Sequence, residues 1–138
     1  MGKAFDVMDH TADIGIVAYG NDLVTLFSNA AAGMLSLISK SGGHVYDVTR
    51  TISLEAEDNE TLLIEWLNEL LYIIYTEKLV LHGFDIVIDE GRLTAECAGQ
   101  KLKQGGLVIT REIKAATYHD LEITYKEGIY SAKIIFDI

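Results

Sequence analysis

Residues 48–76 read VTRTISLEAEDNETLLIEWLNELLYIIYT, and the apolar period changes within that stretch. From Val48 to Ala56 the alternation is strict. Val48, Arg50, Ile52, Leu54 and Ala56 fall on one side, and Thr49, Thr51, Ser53 and Glu55 on the other. A period of two marks a half-buried strand. Asp58 or Asn59 then offers a helix cap, and the period lengthens to that of a helix from Glu60 to about Thr76. Its apolar stripe is Leu62, Leu63, Trp66, Leu67, Leu70, Leu71 and Ile74, while Glu65, Glu69 and Tyr72 lie towards the other side. A strand feeding a one-faced helix has to be buried by a second layer.

Moving towards the start, the same order recurs. Phe5 to Met8 is a short strand candidate, and Ile14 to Tyr19 is a second, stopped by Gly20. Asn21-Asp22 offers a cap for a helix from Leu23 to about Ile38. Leu23, Leu26, Phe27, Ala30, Ala31, Met34 and Leu37 make one stripe there. Ser39 to His44, with Gly42-Gly43, reads as a loop. Towards the end the chain is β. Leu81 to Asp89 and Arg92 to Gln100 flank Glu90-Gly91, and Leu121 to Tyr125 and Ile129 to Ile138 flank Glu127-Gly128, so each pair reads as a hairpin. Lys101 to Gly106 is a glycine loop, and Ile113 to His119 leads into the last hairpin. The expected architecture is α+β: a two-layer sandwich of two helices packed on a largely antiparallel sheet, as one domain over 1–138.

Composition narrows the function. The chain has 138 residues and 49% hydrophobic content, enough for a full core. With 11 Lys and Arg against 21 Asp and Glu, the formal charge is −10. An acidic surface repels phosphate backbones, so a protein partner or a cation suits it better than direct, stable nucleic-acid binding. The single cysteine, Cys97, excludes an intrachain disulfide and alternates with Ala95 as a small core residue. The start Met1-Gly2-Lys3-Ala4-Phe5-Asp6 lacks the apolar core of a signal peptide, and no run reaches the ~18 apolar residues of a spanning helix. A cytoplasmic protein away from membranes is expected.

Few residues suggest chemistry. Asp13 precedes the second strand, and the last strand runs to Asp137 and Ile138, whose α-carboxylate ends the chain. If Asp13 folds beside them, three carboxylates converge. Such a cluster repels itself unless it holds protons or a hard cation. Oxygen-only ligands favour calcium, magnesium or manganese over zinc. On spacing alone the same residues read first as solvated acids at strand ends. Asp9 is a helper or a turn residue. In the last strand Tyr130, Ala132, Ile134, Phe136 and Ile138 share a face, so Ile138 is expected to anchor its side chain in the core and hold its carboxylate still. His10 is an acid–base candidate or a loop cap. Lys114, Thr117 and His119 form either a basic spot for a phosphate or a partner's carboxylate, or the solvated face of a strand. No nucleophile elbow, phosphate loop, H-E-x-x-H or paired C-x-x-C occurs.

Several stretches belong together: Asp9-His10-Thr11-Ala12-Asp13-Ile14-Gly15, Leu26-Phe27 with Ala30-Ala31-Ala32-Gly33-Met34, and Leu62-Leu63 to Trp66-Leu67-Asn68-Glu69-Leu70-Leu71-Tyr72. Ile113-Lys114-Ala115-Ala116-Thr117-Tyr118-His119 and Ile135-Phe136-Asp137-Ile138 complete the set. Taken together, these stretches resemble the archease family. The resemblance implies a non-catalytic accessory protein of the RtcB-type tRNA-splicing RNA ligase, which joins RNA ends bearing a 2′,3′-cyclic or 3′-phosphate to a 5′-hydroxyl. It implies promotion of ligase guanylylation and of multiple turnover, in tRNA splicing or RNA repair. It also implies a divalent metal, calcium first and magnesium or manganese as alternatives, held by Asp13, Asp137 and the carboxylate of Ile138. His10, Lys114 and His119 are then candidate contacts to the partner or a phosphate. Two departures are visible. Lys101 to Gly106 lacks a histidine frequent in the family, and Val24-Thr25 stands where an acidic residue is usual. Two rival readings remain: a chaperone-like modulator of RNA-modifying enzymes such as methyltransferases, and a metal-dependent or acid–base enzyme using His10, His119 and the carboxylates.

Overall fold

The structure, a computed structural model, describes residues 2–9, 14–40 and 44–138, with the backbone alone for Asp9. The described elements are β1 (Phe5–Asp9), β2 (Ile14–Gly20), α1 (Leu23–Ile38), β3 (Val48–Glu55), α2 (Asn59–Glu77), β4 (Leu79–Asp89), β5 (Arg92–Lys101), a short 3-10 turn at Gln104–Gly106, β6 (Ala115–Ala116), β7 (Ile123–Lys126) and β8 (Ile129–Asp137). The α+β architecture is as expected, and the strands divide into two antiparallel sheets. One has the order β1-β2-β8-β6, with β7 also pairing β8, and the other has the order β3-β5-β4.

Both helices start on the same device. The Asp22 carboxylate accepts from the Thr25 N–H and that of Asp58 from the Thr61 N–H, each at 2.7 Å. Each bond satisfies a helix donor that would otherwise have no partner, and it favours the ionised carboxylate. Both aspartates are therefore held below the usual carboxylate range, first by these backbone bonds. Lys78 ends α2 in the left-handed region at φ 58°. Glu90-Gly91 and Glu127-Gly128 both have positive φ at their two central residues, the type I′ geometry that matches the twist of a hairpin.

The helices straddle the two sheets. α1 lies on β2 and reaches β4; α2 lies on β4 and β3 and reaches β6. Leu26, Phe27, Ala30, Met34, Leu63, Trp66, Leu67 and Leu70 are buried between them and the strands. Trp66 joins the layers: its indole N–H donates to the Phe27 carbonyl at 3.0 Å, and its ring meets Phe84 edge-on at 5.2 Å. Cys97 is buried as expected, and burial pushes its thiol up to about 11.

The β2–β8 pairing sets the end of the sheet next to the candidate carboxylates. Ile14 pairs with Phe136, Gly15 with Ile135 and Ile16 with Ile134. Gly15 is required by this contact: a Cβ there would stand 2.5 Å from the Ile134 carbonyl oxygen, on a partner strand that cannot retreat.

One expectation fails here. The side chain of Ile138 is 51% exposed. Strand β8 ends at Asp137, and Phe136 is its last buried residue. Its β2 register ends at Ile14–Phe136 and its β6 register at Ala115–Asp137. Alternation alone puts Ile138 on the core-facing side, but the packed layers stop one residue short of it. No helix among the described residues is long and apolar enough to cross a membrane.

Candidate functional site

The end of β8 is held from both sides. On one side lies β2, through Ile14–Phe136. On the other lies β6, through Ala116–Phe136 and Ala115–Asp137, with the Lys114 N–H donating to the Asp137 carbonyl at 2.7 Å. Thr117 doubles the grip, since its N–H and its hydroxyl both donate to the Ile135 carbonyl, at 3.0 and 2.8 Å. Backbone pairing therefore fixes Asp137, in place of the core anchor expected at Ile138.

β6 has only two residues, too few to hold itself, and α2 supplies what a further strand would. The Asn68 side-chain amide brackets Ala116, accepting from its N–H at 2.8 Å and donating to its carbonyl at 3.2 Å. Tyr75 does the same with one hydroxyl, which donates to the Ile113 carbonyl at 2.7 Å and accepts from the Ile113 N–H at 3.1 Å. The spacings match. Seven residues of helix rise ~10.5 Å, and three residues of extended chain span ~10 Å. Burial raises the Tyr75 pKa, with the negative charge of Glu112 adding to it and the Ile113 bond opposing it. Further along, the Glu60 carboxylate accepts from the Ile123 N–H at 3.1 Å.

Asn68 and Tyr75 escaped the sequence reading. Asn68 stood only inside the family-like stretch from Leu62 to Tyr72, with no role of its own. The usable signal was a polar pair seven residues apart on one helix, a spacing that returns to the same face.

The expected site residues distribute as follows. Asp137 and Lys114 are brought together through the backbone, and both side chains are exposed. Thr117 is turned inward, bonding to its own fold. His119 is exposed; its Nε2 lies 3.4 Å from Asp120, and its N–H donates to the Thr117 hydroxyl at 3.3 Å. His10 and Asp13 lie outside the described residues, as does the side chain of Asp9; the Asp9 backbone pairs with Ile14. Asp13 directly precedes Ile14 in the chain, and Asp137 directly follows Phe136. Because Ile14 and Phe136 are partners, these two aspartates are bonded to the same end of one residue pair. Covalent geometry puts consecutive Cα atoms about 3.8 Å apart.

Among the described residues no three His, Cys, Asp or Glu side chains gather in a way that could hold a metal. The donors that are present fit a hard cation in kind. Asp137 is an exposed carboxylate that forms no ion pair among the described residues, even with Lys114 beside it in the backbone. Oxygen donors of this kind suit calcium, magnesium or manganese. A larger cavity of about 650 Å³, lined by Lys3, Tyr19, Asn21, Thr25, Asn29 and Ile129, opens at the other end of the sheet. Gly20–Tyr130 marks that end of the β2–β8 register and Ile14–Phe136 this one. Six strand residues separate them, roughly 20 Å, so the cavity is no part of this site.

Comparison with known proteins agrees along the whole chain. The sequence pattern of the archease protein family (MTH1598/TM1083) matches residues 5–138. The protein archease of Methanosarcina barkeri is 37% identical over 142 residues, covering 99% of this chain and 97% of that protein. The one from Saccharolobus islandicus is 38% identical over 138 residues, covering 99% of each. The solution structure of protein 1598 from Methanobacterium thermoautotrophicum superposes with a TM-score of 0.83 at 35% identity, over 98% of this chain and 99% of that one. The crystal structure of an archease from Thermotoga maritima, described as a possible chaperone, shares the fold with a TM-score of 0.69 at 23% identity, over 95% of this chain and 94% of that one. On the strength of this full-length match, carried by relatives above a third identity, the chain belongs to the archease family.

Proposed function

We propose that this protein is a non-catalytic activator of an RtcB-type RNA ligase, and that it acts through the carboxylates at the β2–β8 end. Family membership supports the partner. The observation that carries the site is the Ile14–Phe136 register, which ties Asp13 and Asp137 to the same end of one strand pair. In this reading Asp13, Asp137 and the α-carboxylate of Ile138 hold a divalent cation, with calcium, magnesium and manganese all compatible with oxygen donors. When bound, that cation supplies positive charge for phosphate oxygens at the ligase's nucleotide site.

The chain's own residues do the positioning. Pairing of β8 with β2 and β6 holds Asp137 at the rim of the sheet, and the Asn68 bracket keeps β6 in place. Exposure of Asp137 and Ile138 lets them reach a partner surface. The formal charge of −10 favours approach to a basic protein and disfavours RNA as the direct ligand. Lys114 and His119, exposed beside this end, are the candidate contacts to the partner or to a phosphate.

The test is ligase guanylylation by GTP, with the wild type and with a form extended by one glycine after Ile138. The extension moves the terminal carboxylate and leaves every side chain in place. Stimulation by the wild type and at least a ten-fold loss with the extended form is the expected result. Equal stimulation by both forms removes the terminal carboxylate from the site.

A second reading has one observation in its favour, the description of the Thermotoga maritima archease as a possible chaperone. A chaperone-like modulator of RNA-modifying enzymes such as methyltransferases would act on several partners with little need for a metal. Chelation separates the two: it abolishes a metal-dependent activation and leaves chaperoning intact.

A further inference from the structure

One side of α2 makes no side-chain hydrogen bond or ion pair among the described residues. Glu65, Glu69 and Tyr72 lie at i, i+4 and i+7 and so share one side of the helix. Beside them, a cavity of about 300 Å³ is lined by Leu54 and Ile64 on its apolar side, by Asn68, and by Tyr118 from the segment after β6. Tyr72 is 60% and Tyr118 56% exposed, although each is a large aromatic side chain. Neither hydroxyl takes part in a hydrogen bond among the described residues, and neither Glu65 nor Glu69 forms an ion pair there. Two exposed aromatic side chains, the exposed Glu65 and half-buried Glu69 carboxylates, and an apolar floor therefore meet in one groove.

We propose that this groove seats an arginine side chain from a protein partner. The chemistry selects arginine. Its guanidinium is planar and weakly hydrated, it stacks on aromatic faces, and it pairs with carboxylates through a rigid fork. Its aliphatic stem covers apolar surface such as that of Leu54 and Ile64. Lysine offers a compact, strongly hydrated charge and gains less from the two rings. A cavity of this size stands at the bottom of the small-molecule range, so it suits a side chain better than a cofactor. Its position gives the contact a use. Asn68 lines the groove and also brackets Ala116, whose neighbour Ala115 pairs with Asp137. A partner held here lies along the segment that leads to the carboxylate end.

That the arginine belongs to an RtcB-type ligase rests on the function proposed above; the groove's preference for arginine does not. Two experiments keep them apart. In the first, the 15N-labelled protein is titrated with a short neutral-capped peptide carrying two arginines, and with its lysine counterpart. The expected result is binding about five-fold tighter for the arginine peptide, with shifts concentrated at Glu65, Glu69, Tyr72 and Tyr118. Tyr118→Ala abolishes the preference. Equal binding of the two peptides, or shifts as large at Asp85 and Glu96, an acidic pair on neighbouring strands β4 and β5, overturns the proposal.

In the second, affinity for the cognate ligase is compared for the wild type, the double variant Glu65→Gln/Glu69→Gln, and Asp137→Ala. The double variant is expected to bind about ten-fold more weakly and to activate fully at saturation, whereas Asp137→Ala fails to activate even at saturation. Unchanged ligase affinity of the double variant overturns the groove as the ligase's docking site. A ligase that the wild type does not stimulate overturns the functional reading and leaves the peptide result in force.

Discussion

Replacing Asn68 by alanine removes both hydrogen bonds to Ala116 without touching the apolar core. Asn68 donates at 3.2 Å and accepts at 2.8 Å, and Ala116 is buried, so water does not freely replace the lost partner. Each such bond is worth about 1 kcal/mol net, and leaving a buried group unpaired adds to that, so the variant should lose about 2–3 kcal/mol. With a urea slope of about 2 kcal/mol per molar, the unfolding midpoint should fall by about 1 M at unchanged slope. Asn68→Asp is the control. It keeps an acceptor for the Ala116 N–H but sets a second carboxylate oxygen against the Ala116 carbonyl, acceptor against acceptor, so its stability loss should be no smaller than that of the alanine form. Amide exchange adds a local readout: the Ala116 N–H should lose protection in the alanine form and keep it in the aspartate form. A midpoint shift below ~0.2 M, with Ala116 protection unchanged, would refute the idea that α2 stands in for a strand beside β6.

Other outcomes follow from the same structure. Tyr75→Phe deletes the hydroxyl that both accepts from and donates to Ile113 and should cost about 1–2 kcal/mol in urea unfolding. Gly15→Ala forces a Cβ against the Ile134 carbonyl and should cost about 1–3 kcal/mol, with the largest chemical-shift changes in β2 and the end of β8. The caps at Asp22 and Asp58 make stability pH-dependent with a defined sign. Their folded pKa values lie below the ordinary aspartate value of about 3.9, so the unfolded chain takes up protons first as pH falls. Their contribution is present above that value and is lost as pH drops through the folded pKa, and Asp22→Asn should flatten the acid limb of a midpoint-against-pH curve. Cys97, buried and with its thiol pushed up to about 11, should react with a disulfide reagent only at the rate of unfolding.

The sequence carried most of the fold because the apolar periods are clean. The change of period across Asp58-Asn59 placed β3 and α2, and the Glu90-Gly91 and Glu127-Gly128 pairs placed the hairpins, since few residues tolerate two successive positive φ values. The division of the strands into two sheets was not legible. It depends on β8 pairing with β2 from the far end of the chain, and no local pattern encodes a partner over a hundred residues away. The two-residue β6 was hidden for another reason: its hydrogen bonds go partly to the side chains of Asn68 and Tyr75, which look like flaws in an apolar helix. Ile138 misled because alternation predicts which way a side chain points but not where the covering layer ends. As for the candidate site, the sequence pointed to Asp137 and Ile138, and the structure adds how the Asp137 backbone is held; Asp13 and His10 lie outside the described residues.

The most direct measurement is multiple-turnover RNA ligation by the cognate RtcB-type ligase, with the ligase in large deficit over RNA and GTP present. The wild type is compared with Asp13→Ala and Asp137→Ala, each first shown to be folded. The account predicts many turnovers with the wild type and no stimulation by either variant; stimulation by both variants at the wild-type level would contradict it.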